Sequence, residues 1–216
     1  MSSDLPDVAQ HYFSADPAGP DERRTITVRL AGRDVSVHTS TGVFSGDRLD
    51  LGTSVLLREV PLPPAQGTFL DLGCGWGPIT LSLGSLAPAA TVWAVDVNAR
   101  ARMLTADNAR SMGLERVQVA APDDVPDSVT FDLIWSNPPI RIGKNALHVM
   151  LHYWLARLAP GGIAYLVVQR HLGSDSLQAW LAGTLGSAYE VGRLASAKGF
   201  RVLSVRRLDP DQLTSA

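Results

Sequence analysis

The sequence predicts an α/β fold, doubly wound about a mostly parallel seven-stranded sheet, with an N-terminal β-hairpin extension. Three observations predict it. Between Thr68 and Leu208, apolar runs of strand length alternate with segments of helical periodicity, the pattern of parallel strands joined by crossover helices. One of those runs, Thr68 to Leu72, opens without a gap into a loop holding Gly73, Gly75 and Gly77, and a helix follows. Asp71, Asp96 and Asn137 fall at or near the carboxyl ends of three different strands, the edge of such a sheet where ligands bind.

The elements follow in order. Residues 1 to about 24 read as an arm, with His11-Tyr12-Phe13 as its anchor. Thr25 to Leu30 and Asp34 to Thr39 alternate apolar and polar residues around Ala31-Gly32-Arg33, a hairpin. After the segment Gly42 to Thr53, Leu56, Leu57 and Val60 mark a helix stopped by Pro61, and 61 to 67 is a linker. Pro78 at the start of the next helix has φ already near the helical value, and Ile79, Leu83 and Leu86 recur behind it at helical spacing. Thr91 to Val97 is a strand, Ala99 to Met112 a helix ended by Gly113, and Val117 to Ala121 a strand that leads into Pro122-Asp123-Asp124.

Phe131 to Ser136 is a strand that runs into Asn137-Pro138-Pro139. Ala146 to Leu158 reads as a helix with Leu147, Leu151, Trp154 and Leu158 inward, ended by Ala159-Pro160-Gly161-Gly162. Ile163 to Val168 is a buried strand, and Ser174 is expected to cap a helix with Leu177, Trp180 and Leu181 on its core stripe. Tyr189 to Leu194 and Phe200 to Leu208 form a hairpin-like edge of the sheet. The expected division is an extension over 1–60 and a core over 61–216.

Composition excludes several classes. At 216 residues, 45% hydrophobic and 19% charged, the chain is a soluble globular protein with a substantial core. Its amino end has no basic and apolar leader, no apolar run reaches the length of a membrane span, and Cys74 is the one cysteine, so a reducing cytoplasm is expected. A net charge of −2 removes the global cationic signature of nucleic-acid binders, and leaves Arg141 and Lys144, beside the Asn-Pro-Pro turn, as the basic pair of interest. His148 and His152 lie one helical turn apart, but no acidic ligand stands in register, so no metal is expected. Nothing in the pattern specifies an oligomeric state.

The chemistry lies in the spacing. Dinucleotide binders place a pyrophosphate on a G-x-G-x-x-G turn, whereas here the glycines read G-x-G-x-G behind Asp71, whose carboxylate repels phosphate and suits an amine. S-adenosylmethionine (SAM) carries an amino-acid tail and a sulfonium, and no phosphate. Asp96, about 20 residues beyond the loop, is placed to accept both ribose hydroxyls, with helix capping as its alternative role. Two consecutive prolines hold Asn137 and Pro138 extended, so an amide oxygen and a backbone carbonyl stand side by side, an arrangement that fits the two hydrogens of an –NH2 group.

The glycine loop resembles the first motif of the class I SAM-dependent methyltransferases, which are Rossmann-like, and Asn137-Pro138-Pro139-Ile140 resembles the turn of those that act on amide or base nitrogens. With Phe44-Ser45, Leu49-Asp50, Gly52-Thr53, Arg141 and Gly143-Lys144, the chain is similar to the ribosomal RNA small-subunit guanine-N2 methyltransferases and their short relatives. It departs from the long members, which carry a further degenerate domain, and has Ile140 where an aromatic residue is frequent. The resemblance implies a methyl donor held by Thr53, Asp71, Gly73, Cys74, Gly75 and Gly77, with Asp96, Val97, Asp123 and Asn137 on the nucleoside and the methyl group. It implies catalysis at Asn137, Pro138, Pro139 and Ile140, contacts to RNA or a ribosomal subunit from Phe44, Arg141 and Lys144, and no metal. A protein-glutamine or small-molecule N-methyltransferase, or a non-catalytic SAM-binding module, shares the motif set.

Overall fold

The computed structural model describes residues 20–210. The expected N-terminal anchor at residues 11–13 lies outside the described residues. β1 (Arg23–Leu30) and β2 (Arg33–Ser40) pair antiparallel as a separate two-stranded sheet. Ala31 and Gly32 alone form their turn, both at positive φ (48° and 78°), the geometry whose twist matches that of the flanking strands. Arg33, expected in the turn, therefore opens β2 opposite Leu30.

The remaining chain alternates as the pattern predicts, in the order α1 (Leu51–Glu59), β3 (Thr68–Leu72), α2 (Pro78–Leu86), β4 (Thr91–Val95), α3 (Ala99–Ser111), β5 (Val117–Ala120), β6 (Phe131–Ser136), α4 (Lys144–Leu155), β7 (Leu158–Gln169), α5 (Ser174–Thr184), β8 (Tyr189–Ala197) and β9 (Phe200–Arg207). The seven strands of the main sheet lie in the order β5-β4-β3-β6-β7-β9-β8. β3 to β7 are parallel, and β9 runs antiparallel to both neighbours. Strand order reverses between β3 and β6, and a ligand crevice opens beyond the carboxyl ends of strands at such a point.

Both faces are covered. Phe69, Leu133, Trp135 and Val167 pack with Val55 and Leu56 of α1 and with Ile79 and Leu83 of α2. Leu70, Leu72, Ile134 and Leu166 point the other way, as the period-two alternation of a strand requires, and pack with Leu147, Leu151 and Trp154 of α4 and Leu177 and Leu181 of α5. A third cluster joins the β1–β2 hairpin to α2 and α3 through Val28, Leu30, Val37, Leu81 and Leu104. Asn108 of α3 reinforces that join by accepting from His38 N–H (2.7 Å) and donating to the carbonyls of His38 and Trp76 (2.9 Å each).

The start of β7 and the cap of α5 also differ from expectation. Leu158 belongs to β7, opposite Phe131, and the pairing then jumps to Leu133 opposite Ile163, so residues 159–162 are a bulge inside a strand and not the end of a helix. Gly161 has φ +75°, and a Cβ on Gly162 would stand 2.8 Å from the carbonyl oxygens of both Ala159 and Phe131, so the bulge closes only around glycine. Ser174 does not cap α5. Gly173, left-handed at φ +91°, holds that position, while Ser174 is fully buried and its hydroxyl makes no hydrogen bond among the described residues. No helix of the described residues is long and apolar enough to cross a membrane.

Candidate active site

The glycine loop crosses over the end of β4, with Gly73 and Cys74 donating their N–H groups to the Val95 carbonyl (2.8 and 3.0 Å). β4 ends at Val95, two residues earlier than expected; the Asp96 N–H still reaches the Ala120 carbonyl of β5 (3.4 Å), and Asp96 and Val97 line the crevice. Asp96 Oδ2 accepts the Gly75 N–H and Oδ1 accepts the Asn98 N–H, both at 2.9 Å. Each oxygen retains a lone pair beyond those bonds. The cap of α3 is Asn98, whose side chain accepts from Arg100 and Ala101. Burial raises the Asp96 pKa from its ordinary value, and the N–H donors work against that rise.

Asp71 stands elsewhere than the amine-binding expectation requires. It is fully buried and absent from the crevice wall, and Oδ2 accepts from the Thr80 N–H (2.9 Å) and Thr80 hydroxyl (2.6 Å) in the first turns of α2. The reason is strand alternation: Asp71 shares the face of Phe69, toward α2, and Leu72 lines the crevice. Its Oδ1 has no hydrogen-bond partner among the described residues, and burial pushes its pKa up to about 7. Gly77, left-handed at φ +101°, likewise serves the turn and not the wall, since a Cβ there would press on Thr105 (3.1 Å from Oγ1). Cys74 is buried with its thiol pushed well up by that burial, so it stays protonated and fills space under the loop.

On the other side of the switch point, Asn137 leaves β6. Its Nδ2 donates to Asp50 Oδ2 (2.8 Å) and to Thr53 Oγ1 (3.0 Å). A carboxylate only accepts, so these bonds fix which end of the amide is nitrogen, and no described residue donates to Oδ1. The same Asp50 oxygen caps α1 by accepting the Thr53 N–H at 3.0 Å. Pro138, expected to have no ladder partner, has none, but its carbonyl accepts the Ile140 N–H at 2.8 Å across a tight turn at Pro139 (φ −73°, ψ 80°). One acceptor position on that carbonyl remains.

Thr53, Gly73, Cys74, Gly75, Asp96, Val97 and residues 137–140 line one cavity of about 470 Å³, with Phe44, 68% exposed, at its rim. Asp123 is exposed and off the wall, though its neighbour Pro122 is on it; Lys144 is exposed two residues beyond Ile142, which lines it. Arg141 lies in the short turn Ile140–Ile142, its side chain outside those described. His148 stacks flat on Trp180 with 3.7 Å between ring centroids. Sequence reasoning misses Asp50, Trp76, Gln169 and Phe200 as site residues. Asp50 before a helix is legible as a cap, but its bond to Asn137 spans 87 positions of chain, and Trp76 Nε1 reaches the Ser45 carbonyl (3.1 Å) over 31.

The model of the family described as methyltransferase small domain matches residues 34–204. An uncharacterized protein of Bacillus subtilis, YbxB, is 31% identical over 204 residues, which cover 93% of this chain and 100% of that protein. The ribosomal RNA small subunit methyltransferase C of Shewanella amazonensis is 30% identical over 178 residues, 81% of this chain and 52% of that one. A solved T. thermophilus 16S rRNA N2 methyltransferase, in complex with AdoMet and guanosine, superposes with a TM-score of 0.73 at 25% identity, over 87% of this chain and 51% of that chain. The chain thus spans about half the length of these two named methyltransferases.

Proposed function

The chain belongs to the methyltransferase small domain family, a family of SAM-dependent methyltransferases, and on that premise we propose that it methylates an exocyclic base amine, guanine in ribosomal RNA. The observation that carries the reading is the locked Asn137 amide. With Nδ2 spent on Asp50 and Thr53, the corner presents Oδ1 and the Pro138 carbonyl, two acceptors and no donor, which suits a group with two N–H bonds.

The crevice fits the methyl donor. Its volume, about 470 Å³, is that of a small-molecule site. Gly73 and Gly75 have φ of +81° and +58°, and a Cβ on either would meet nothing closer than Pro139 Cδ at 4.0 Å, so it would project into the space the loop bounds. SAM, when bound, supplies an electrophilic methyl on a sulfonium that leaves as a neutral thioether, the N–C bond forming as the C–S bond breaks and the surplus proton passing to water. Asp96 offers its remaining lone pairs to ribose hydroxyls. Asn137 Oδ1 and the Pro138 carbonyl orient the amine and favour the positive charge that develops on nitrogen, so positioning and electrostatics suffice without a strong base.

A polyanionic acceptor is supported by charge placement. Arg48, Lys144, Arg170 and Lys198 are exposed on the segments that bound the cavity and make no ion pair among the described residues. Elsewhere Arg23, Arg24, Arg29, Arg58, Arg110 and Arg193 are paired with carboxylates, while Arg33 and Arg116, away from the cavity, are exposed and make no ion pair among the described residues. Phosphate contacts from such free cations hold a strand without reading its sequence. The test is incubation with tritiated SAM and, separately, total RNA, ribosomal subunits and protein extract. Label in RNA or subunits, released as a methylated guanine on digestion, is expected; label confined to protein overturns the reading.

A further inference from the structure

If the acceptor is a base held by Asn137, it needs a surface on which to stack, and Ile140, next in chain, has no π face. We infer that Phe200 supplies it. This inference rests on the function proposed above and names a residue that sets acceptor affinity.

Phe200 is the first residue of β9, directly after the Lys198-Gly199 turn, and pairs with Gln169, the last residue of β7. Because β9 runs against its neighbours, its beginning lies level with the carboxyl ends of the parallel strands. The sheet order then separates two halves about Asn137. Asp96 and the glycine loop belong to β3 and β4 on one side, and Gln169 and Phe200 to β7 and β9 on the other, all on the wall of one cavity. Phe200 therefore faces the acceptor half.

Its distance from the reacting corner is set by Gly52. The point a Cβ on Gly52 would occupy is 3.0 Å from Phe200 Cε1 and 3.4 Å from Asn137 Nδ2, so ring and amide border the same glycine-wide gap. The other aromatic residues of the wall are committed or remote from that gap. Trp76 is buried and bonded to Ser45, Trp154 is buried against Phe131, Tyr153 and Arg157, and Phe44 stands at the outer rim. Phe200 is half-buried: it packs against the α1 side of the core, lines the cavity, and makes no ring stack or cation–π contact among the described residues.

The experiment compares the parent with Phe200→Leu, Phe200→Tyr and Phe44→Leu, measuring kcat and KM for the labelled RNA, SAM affinity by calorimetry and the melting temperature. Phe200→Leu keeps apolar volume and removes the π face, so KM for RNA should rise about tenfold or more, the range of one lost base stack. SAM affinity should stay within about twofold and Phe200→Tyr should restore KM. A Phe200→Leu enzyme with parental KM and kcat on RNA overturns the inference alone. So does a loss that tyrosine fails to restore and that tracks the melting temperature, which marks packing, or a larger KM effect at Phe44→Leu. A parent that labels protein and not RNA overturns both this inference and the function beneath it.

Discussion

Oδ2 of Asp50 accepts two hydrogen bonds, one from the Thr53 N–H that starts α1 and one from the Asn137 amide that shapes the acceptor corner. The two roles separate by substitution. Serine caps a helix about as well as aspartate but is one bond shorter, so Asp50→Ser should keep the melting temperature and release Asn137. Turnover should fall about tenfold or more while SAM affinity changes within a few-fold. Asn137→Ala removes the acceptor itself, on the order of 3 kcal/mol in the transition state, about a hundredfold in rate. Because Asp50 acts through Asn137, the double variant should be no slower than Asn137→Ala alone in single-turnover assays; additive losses would mean that Asp50 acts by another route.

Asp71 gives a pH dependence of known sign. Its folded pKa of about 7 stands above the ordinary 3.8, so between those values the folded chain binds more protons than the unfolded one. Its contribution to stability is fully present below about pH 4 and is lost as pH rises through about 7. Asparagine keeps an oxygen for Thr80 and cannot ionise, so Asp71→Asn should gain on the parent as pH rises. Urea midpoints at pH 5 and pH 8 measure this, and parallel shifts at both would contradict it.

Among the elements, the bulge in β7 shows how sequence can mislead. Ala159-Pro160-Gly161-Gly162 reads as a helix stop because proline and glycine end helices, yet the same residues let a strand take in extra length while Leu158 stays paired with Phe131. Gly162→Ala should cost about 1–3 kcal/mol, the range for overpacking, because both near contacts are backbone carbonyls that cannot swing aside. Chemical denaturation measures it, and a neutral result would mean that the bulge relaxes. The strands β3 and β6 and the start of α2 were legible to the residue, since apolar runs ended by glycine or proline punctuation are local signals. Asp71 was legible as an acid of the motif but not in its direction, which depends on the face α2 covers. Asp50, Gln169 and Phe200 were not legible as site residues because their places are set by pairings between distant parts of the chain.

At the scale of the whole molecule, the N-terminal hairpin is tied to α2 and α3 by the apolar cluster around Val28, Leu30 and Val37, by the Arg23–Asp107 ion pair (3.0 Å), and by a buried amide, Asn108, which bridges β2 and the glycine loop. Asn108→Leu leaves one N–H and two carbonyls without that partner, at a cost of about 1–3 kcal/mol for each group that water does not reach. Amides of β1 and β2 should then exchange faster than those of β3 and β6, which stand in the middle of the main sheet. Uniform acceleration of all four strands would show that the hairpin and sheet open as one unit instead.

The antiparallel course of β9 has a further consequence. Both ends of the β8–β9 hairpin enter and leave at the far rim of the sheet, and its Lys198-Gly199 tip delivers Phe200 beside the acceptor corner. No strand or helix of the half that holds Asp96 and the glycine loop passes through that hairpin. If Phe200 stacks the acceptor as proposed, acceptor preference becomes a transplantable trait: a hairpin of different tip length or tip residue, grafted between α5 and Leu208, should change which amine is labelled from tritiated SAM while SAM affinity by calorimetry stays at the parental value.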